Sequence, residues 1–177
     1  DLRAVRVPAP KGVWSDYYEE WPDHDNAEEW SPKQVAVASV LRRLRPATVV
    51  DAASNRGWYS LLAAREGARV VAFDTDESSV SWLYRRAADT GADVQPLVID
   101  LLNPPPAFGW KLQQFPSSLE RLSTEMVFAF ALLHHLVLTQ WQDFERVAAL
   151  LDCLVKKWLL IEFIPLDDDK ARILLAR

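Results

Sequence analysis

Val49-Val50-Asp51-Ala52-Ala53-Ser54-Asn55-Arg56-Gly57-Trp58-Tyr59-Ser60 is the stretch that decides how this chain folds. It opens in a β-branched run, crosses a short segment of small and polar residues, and enters a segment with helical patterning. Thr48-Val49-Val50 lacks period-two alternation, as expected of a strand buried on both faces of a parallel sheet. Ala47–Ala52 therefore reads as a strand and Trp58–Arg65 as the helix after it, ended by Gly67. A strand–turn–helix of this kind presents backbone N–H groups and a helix N-terminus to a ligand. Asn55 and Gly57 are residue types that accept left-handed backbone angles, and small residues let a ligand approach the backbone. Taken alone, the turn suits a purely structural connection equally well.

Outward from this turn, strand and helix patterns alternate. Upstream, Ser31-Pro32 opens a helix as an N-cap followed by proline at the first helical position. Val35, Val37, Ala38, Val40, Leu41 and Leu44 give it a broad apolar side, and Pro46 stops it. Downstream, Arg69–Phe73 is a strand, Glu77–Asp89 a helix capped by Asp76 and closed by Gly91, and Val94–Ile99 a third strand. Residues 101–118 read as a proline-rich loop, Met126–Ala131 as a fourth strand and Gln140–Leu154 as a helix. Trp158–Ile164 is a fifth strand, and Asp167–Ala176 a last helix. The alternation implies an α/β fold with a mostly parallel sheet and helices on both faces.

Three successive strands end in an acid: Asp51, Asp74 and Asp100. All three fall on the carboxyl edge of the sheet, where open α/β folds bind ligands. Asp74 follows Asp51 at close to the spacing at which an acid reaches ribose hydroxyls in dinucleotide folds. A carboxylate at Asp100 can accept from an adenine amino group. The competing reading of Asp74, helix capping, is served better by Asp76.

At this point the chain resembles the class I S-adenosylmethionine-dependent methyltransferases. Val49–Ser60 resembles their motif I, in the subset with Asn in the turn and an aromatic pair before Ser. Val70–Asp74 followed by Asp76 resembles motif II, Val98–Leu101 motif III, and Ala131-Leu132-Leu133-His134-His135-Leu136 the segment after strand four. Asn103-Pro104-Pro105-Pro106, Phe108-Gly109-Trp110 and Leu160–Pro165 are similar to a bacterial group of nodulation-protein-related methyltransferases. The resemblance covers roughly residues 30–177 and implies a Rossmann-like methyltransferase fold.

It implies S-adenosylmethionine as cofactor, with S-adenosylhomocysteine as product. The backbone at Ala53, Ser54, Asn55 and Gly57 would pass the methionine moiety, and Asp51 would anchor its ammonium. Asp74 would hold the ribose, and Asp100 with Leu101 the adenine. Leu132 or Leu133, with His134, would line the other side. Two departures stand out. Ala53 occupies the place of the family's first glycine, and five strands can be counted where the full fold has seven, so the C-terminal strands are expected to be missing.

Methyl transfer needs a base only where the acceptor loses a proton. His134 and His135 are the candidates; as neighbours they cannot both point the same way, so one is expected to pack at the turn. Glu162 is a weaker candidate whose expected role is structural, bonded near the end of strand five. No metal site is expected, because His134-His135 lack ligand spacing and Asp167-Asp168-Asp169 reads as a helix start. A nicotinamide dehydrogenase would need a G-x-G-x-x-G turn, which Asp51–Gly57 does not supply.

Composition bounds the rest. The 177 residues favour one domain at 31–177, preceded by an aromatic and acidic arm or lid at 1–30 that includes Trp14, Trp21 and Trp30. A lid of rings and carboxylates would suit a cationic ligand. The net charge of -5 argues against a nucleic-acid partner, so a small-molecule acceptor is expected. Arg42, Arg43 and Arg45, and Lys156 with Lys157, read as charges at helix C-terminal ends. The single cysteine, Cys153, reads as a core filler and allows no intrachain disulfide. No apolar run reaches membrane-spanning length and no signal peptide is visible, so a cytoplasmic protein with no membrane partner is expected. The chain begins at Asp1 rather than Met, which suggests a removed or absent N-terminal piece. Oligomeric state leaves no mark on the sequence.

Overall fold

A computed structural model describes residues 21–165 together with 168 and 172. Five strands form one all-parallel sheet: β1 (Thr48–Ala52), β2 (Arg69–Asp74), β3 (Val94–Val98), β4 (Thr124–Ala129) and β5 (Val155–Ile161). Their order across the sheet is β3-β2-β1-β4-β5. The chain thus builds outward from β1 in one direction and resumes beside β1 in the other, which opens a crevice at the carboxyl ends of β1 and β4. The helices are α1 (Pro32–Leu44), α2 (Trp58–Arg65), α3 (Glu77–Thr90), α4 (Ser118–Leu122) and α5 (Phe144–Asp152).

Alternate residues of each strand feed two cores. Val49, Val70, Met126 and Phe128 face α1 and α2, and are buried with Val37, Leu41, Tyr59 and Leu62. Val50, Ala52, Phe73, Val127 and Ala129 face the other layer, with Leu122 of α4 and Val147 and Leu151 of α5. This two-sided burial is why the strand sequences run apolar without alternation.

Local chemistry sets the starts of α1 and α3 as the sequence predicts. Ser31 Oγ accepts from Gln34 N–H, and the Gln34 side chain accepts from Ser31 N–H at 2.6 Å, a reciprocal cap ahead of Pro32. α1 ends with Arg45 in the left-handed region just before Pro46, and Arg42 and Arg43 lie in its last turn. Asp76 caps α3 through Ser78 N–H, and Gly91 closes it at φ 68°.

Several expectations need correction. Strand four begins earlier and ends at Ala129, because Ala131 enters the left-handed region at φ 47° while its N–H donates to Glu162. Residues 135–139 form a single π-helical turn and Trp141 has φ 55°, so α5 starts at Phe144 rather than Gln140. Asp143 supplies its cap, accepting from Arg146 N–H at 2.7 Å. β5 also begins earlier than expected, so Lys156 and Lys157 lie on a strand; Lys157 pairs with Glu125 at 2.6 Å. Cys153 is exposed at the end of α5 rather than buried in the core. The loop expected at 101–118 contains a short turn at Trp110–Leu112 and runs into the five-residue α4, capped by Ser117 and Glu120.

Of the expected arm, 1–20 lie outside the described residues. The remainder is clasped to the start of α2. Trp58 Nε1 donates to Pro22 O at 2.9 Å, the His24 ring stacks on Trp58 at 4.5 Å, and Trp21 and Trp30 meet Trp58 edge-on. The helix expected at Asp167–Ala176 lies outside the described residues apart from Asp168 and Arg172.

Candidate cofactor site

The turn between β1 and α2 is left-handed at three places: Ala53 (φ 61°), Asn55 (φ 49°) and Gly57 (φ 70°). Glycine is required at the third. A Cβ on Gly57 would stand 2.4 Å from Leu83 Cδ2, so α3 packs against the bare backbone at the point where α2 begins. Gly57 offers α2 no side-chain cap, and Asp51 accepts from both the N–H and the hydroxyl of Ser60 in the first turn of that helix. Ser54 donates its N–H to Phe73 O at 3.0 Å, while its hydroxyl is buried with no hydrogen-bond partner. A buried polar atom in that position suits a ligand that brings its own donors or acceptors.

The acids at the strand ends divide by environment. Asp51 is 3% exposed, and its Oδ2 accepts from Ser60 Oγ of α2 at 2.5 Å. Burial pushes its carboxyl up to about 7; the Ser60 bond opposes this, the nearby charge of Asp74 adds to it, and the charge of Lys33 pulls it down. Asp74 braces the turn: its Oδ2 accepts from Asn55 N–H at 2.8 Å and its Oδ1 from Asp76 N–H at 2.9 Å. Burial raises its carboxyl as well, against those two backbone bonds. Asp100 is exposed and accepts from Leu102 N–H and Asn103 Nδ2. Leu101 and Leu132 are buried in the same cluster beneath the turn, with Ala53 packed against it. The residues singled out in the sequence therefore gather along one edge of the sheet.

The rings of His134 and His135 lie 4.2 Å apart at the start of the π turn, tilted by 40°, so these neighbours stay in contact. Glu162 has the structural bonds expected of it. Its Oε2 accepts from Ala131 N–H and from Lys33 Nζ, each at 2.7 Å. Among the described residues no group of three or more His, Cys, Asp or Glu converges as a metal site. Likewise, no described helix is long and apolar enough to cross a membrane.

Ser60, Lys33, Tyr59 and Phe130 are neighbours of the site that sequence reading missed. Ser60 had a usable signal. Asp51 falls on the same strand face as Val49, so it must meet α2, and Ser60 is the polar residue one turn into that helix. Lys33 and Phe130 come from distant elements and left no local trace.

No family model matches the chain. It is 30% identical over 151 residues to the nodulation protein NoeA of Rhizobium meliloti (strain 1021), a match covering 85% of this chain. The chain spans 32% of the length of NoeA. Its backbone superposes on the bifunctional kinase-methyltransferase WbdD with a TM-score of 0.57 at 15% identity, covering 87% of this chain and 32% of that one. The chain has the class I methyltransferase fold. An S-adenosylmethionine-dependent methyltransferase from Mesorhizobium loti shares it, with a TM-score of 0.51 at 17% identity over 71% of this chain and 50% of that one. The parallel sheet with helices on both faces, expected from the sequence, is the architecture shared with these structures.

Proposed function

We propose that this chain binds S-adenosylmethionine at the carboxyl edge of its sheet and transfers the methyl group to a small-molecule acceptor, an oxygen of a sugar or natural product. One observation carries the reading. A buried, unpartnered Ser54 hydroxyl sits in the strand–helix turn between two acids at the strand ends, Asp51 and Asp74. Those two carboxylates, as acceptors, suit a ligand with an ammonium at one end and ribose hydroxyls at the other. The NoeA similarity and the shared fold support it.

When bound, the donor supplies a methyl group already activated on a sulfonium, so the protein contributes alignment and proximity. The turn backbone at Ala53, Ser54, Asn55 and Gly57 holds the methionine end, with Asp51 as anchor for the ammonium. Asp74 receives the ribose, and Asp100 and Leu101 border the adenine. Leu132 closes the apolar wall. His134 or His135 takes the proton of an acceptor hydroxyl. In this reading 31–177 is the donor-binding domain, and 1–30 is an arm or lid that precedes it. The cytoplasm is the setting, a reading supported by the lone cysteine.

Calorimetric titration tests this. Heat is expected with S-adenosylmethionine and S-adenosylhomocysteine and not with NAD; silence from both adenosyl ligands would sink the proposal. Asp74→Ala is expected to weaken donor binding more than His135→Ala, and equal effects would count against the ribose assignment.

Ala53 favours a second reading, a donor-binding or scaffold domain with weakened turnover. A methyl group at φ 61° occupies the tightest point of the turn. Donor binding without methylation across a broad metabolite screen would select that reading.

A further inference from the structure

The methionine end of the proposed donor carries two opposite charges. Asp51 answers the ammonium; the α-carboxylate needs a cation on the same face of the sheet. Lys33, near the start of α1, is placed to supply one. Its Nζ lies 2.7 Å from Glu162 Oε2, 5.1 Å from the centre of the Tyr59 ring and 4.9 Å from that of Phe130. Tyr59 is the neighbour of Ser60, which holds Asp51. Phe130 follows Ala129, whose register partner on β1 is Ala52, and it packs with the core that faces α1 and α2. The Lys33 ammonium therefore stands over the end of the strand next to Asp51, on the side of the sheet where Asp51 meets Ser60.

From this placement we infer that Lys33 binds the α-carboxylate of the donor's methionine moiety. This rests on the proposed donor site and extends it by one residue. An ammonium has three protons, and the Glu162 bond uses one of them. The two ring faces and Glu162 hold the long side chain in one orientation, which lowers the entropic cost of binding. The side chain is 34% exposed, so a ligand can reach it. Arg56, the cation within the turn itself, lies instead over the Trp82 ring of α3, 5.5 Å from its centre. That the charge of Lys33 already acts on the Asp51 carboxyl agrees with their closeness.

A tether between α1 and β5 would explain the Lys33–Glu162 pair without any ligand, so the test must separate the two roles. Two probes differ only in the group at issue: S-adenosylhomocysteine, and its decarboxylated analogue, which keeps the ammonium. Calorimetry compares both on the full chain, on Lys33→Met and on Lys33→Arg. Methionine preserves the apolar stem over Tyr59 and Phe130. Lys33→Met is expected to weaken S-adenosylhomocysteine by roughly tenfold or more, the value of a charge-assisted hydrogen bond. The decarboxylated analogue should bind the variant as it binds the parent, and Lys33→Arg should recover most of the loss. Equal losses for both probes would make Lys33 structural and overturn the assignment. No loss for either would place the carboxylate elsewhere and overturn it too. A parent chain that binds neither probe would instead overturn the donor site, and the Lys33 role with it.

Discussion

At the residue scale, Asp51 is the group with the sharpest chemical character. Its carboxyl is buried, and its folded-state value of about 7 stands above the ordinary 3.8. The folded chain therefore holds this proton to higher pH than the unfolded chain does. The stability tied to Asp51 is fully present below about pH 4 and is lost as pH rises to about 7, the span between the two values. Asp51→Asn removes that loss and can still accept from Ser60. Urea unfolding should find the variant more stable than the parent at pH 8, by up to about 4 kcal/mol, with a flatter curve between pH 4 and 7. A variant less stable at both ends would mean that the charged carboxylate is favoured in the fold. Asp51 itself was legible in the sequence, as an acid ending a strand before a turn. Its environment was not, because Ser60 and Lys33 reach it only once α1 and α2 are docked.

At the scale of elements, the caps decide which boundaries a sequence can reveal. Ser31 and Gln34 exchange bonds within one turn of chain, and the start of α1 was readable from Ser31-Pro32 alone. Ser31→Ala should cost about 1 kcal/mol in chemical denaturation, with α1 fraying from its first turn. A cost near zero would mean that packing on the sheet alone holds this helix end. The segment after β4 is the opposite case. Leu132–Trp141 is apolar enough for either a strand extension or a helix start, and nothing local chooses between them. The choice comes from Glu162, 31 residues later, which takes the Ala131 N–H and turns the chain off the sheet. That contact has no signature in the neighbouring sequence. Lys156 and Lys157 were misplaced for a related reason, since β5 starts three residues earlier than its most apolar part suggests.

At the scale of the whole molecule, the strand–helix alternation was enough for the fold class, and the strand order places the crevice. The donor proposal makes a global prediction there. A ligand that binds only the folded state at a hundred times its Kd should add about 2.7 kcal/mol of stability. Thermal unfolding with saturating S-adenosylhomocysteine should therefore move the midpoint upward, and an unmoved midpoint would argue against the site.

The two borders of the sheet differ in what they can accept. In β3, the Asp93 carbonyl and the Ile99 N–H both point into β2, so the residues between them alternate and Val94, Pro96 and Val98 turn outward. Pro96 has no N–H, and Val94 N–H is already taken by Ala92 O at 2.8 Å. That border is nearly stripped of donors, which protects it from stray pairing. β5 contains no proline, and Glu162 N–H points back to β4, which turns the alternate backbone groups at Leu159 and Ile161 away from the sheet. Growth of this sheet by another strand is thus permitted in one direction and disfavoured in the other, a polarity set by Pro96 together with the local bond at Val94 on the border far from β5.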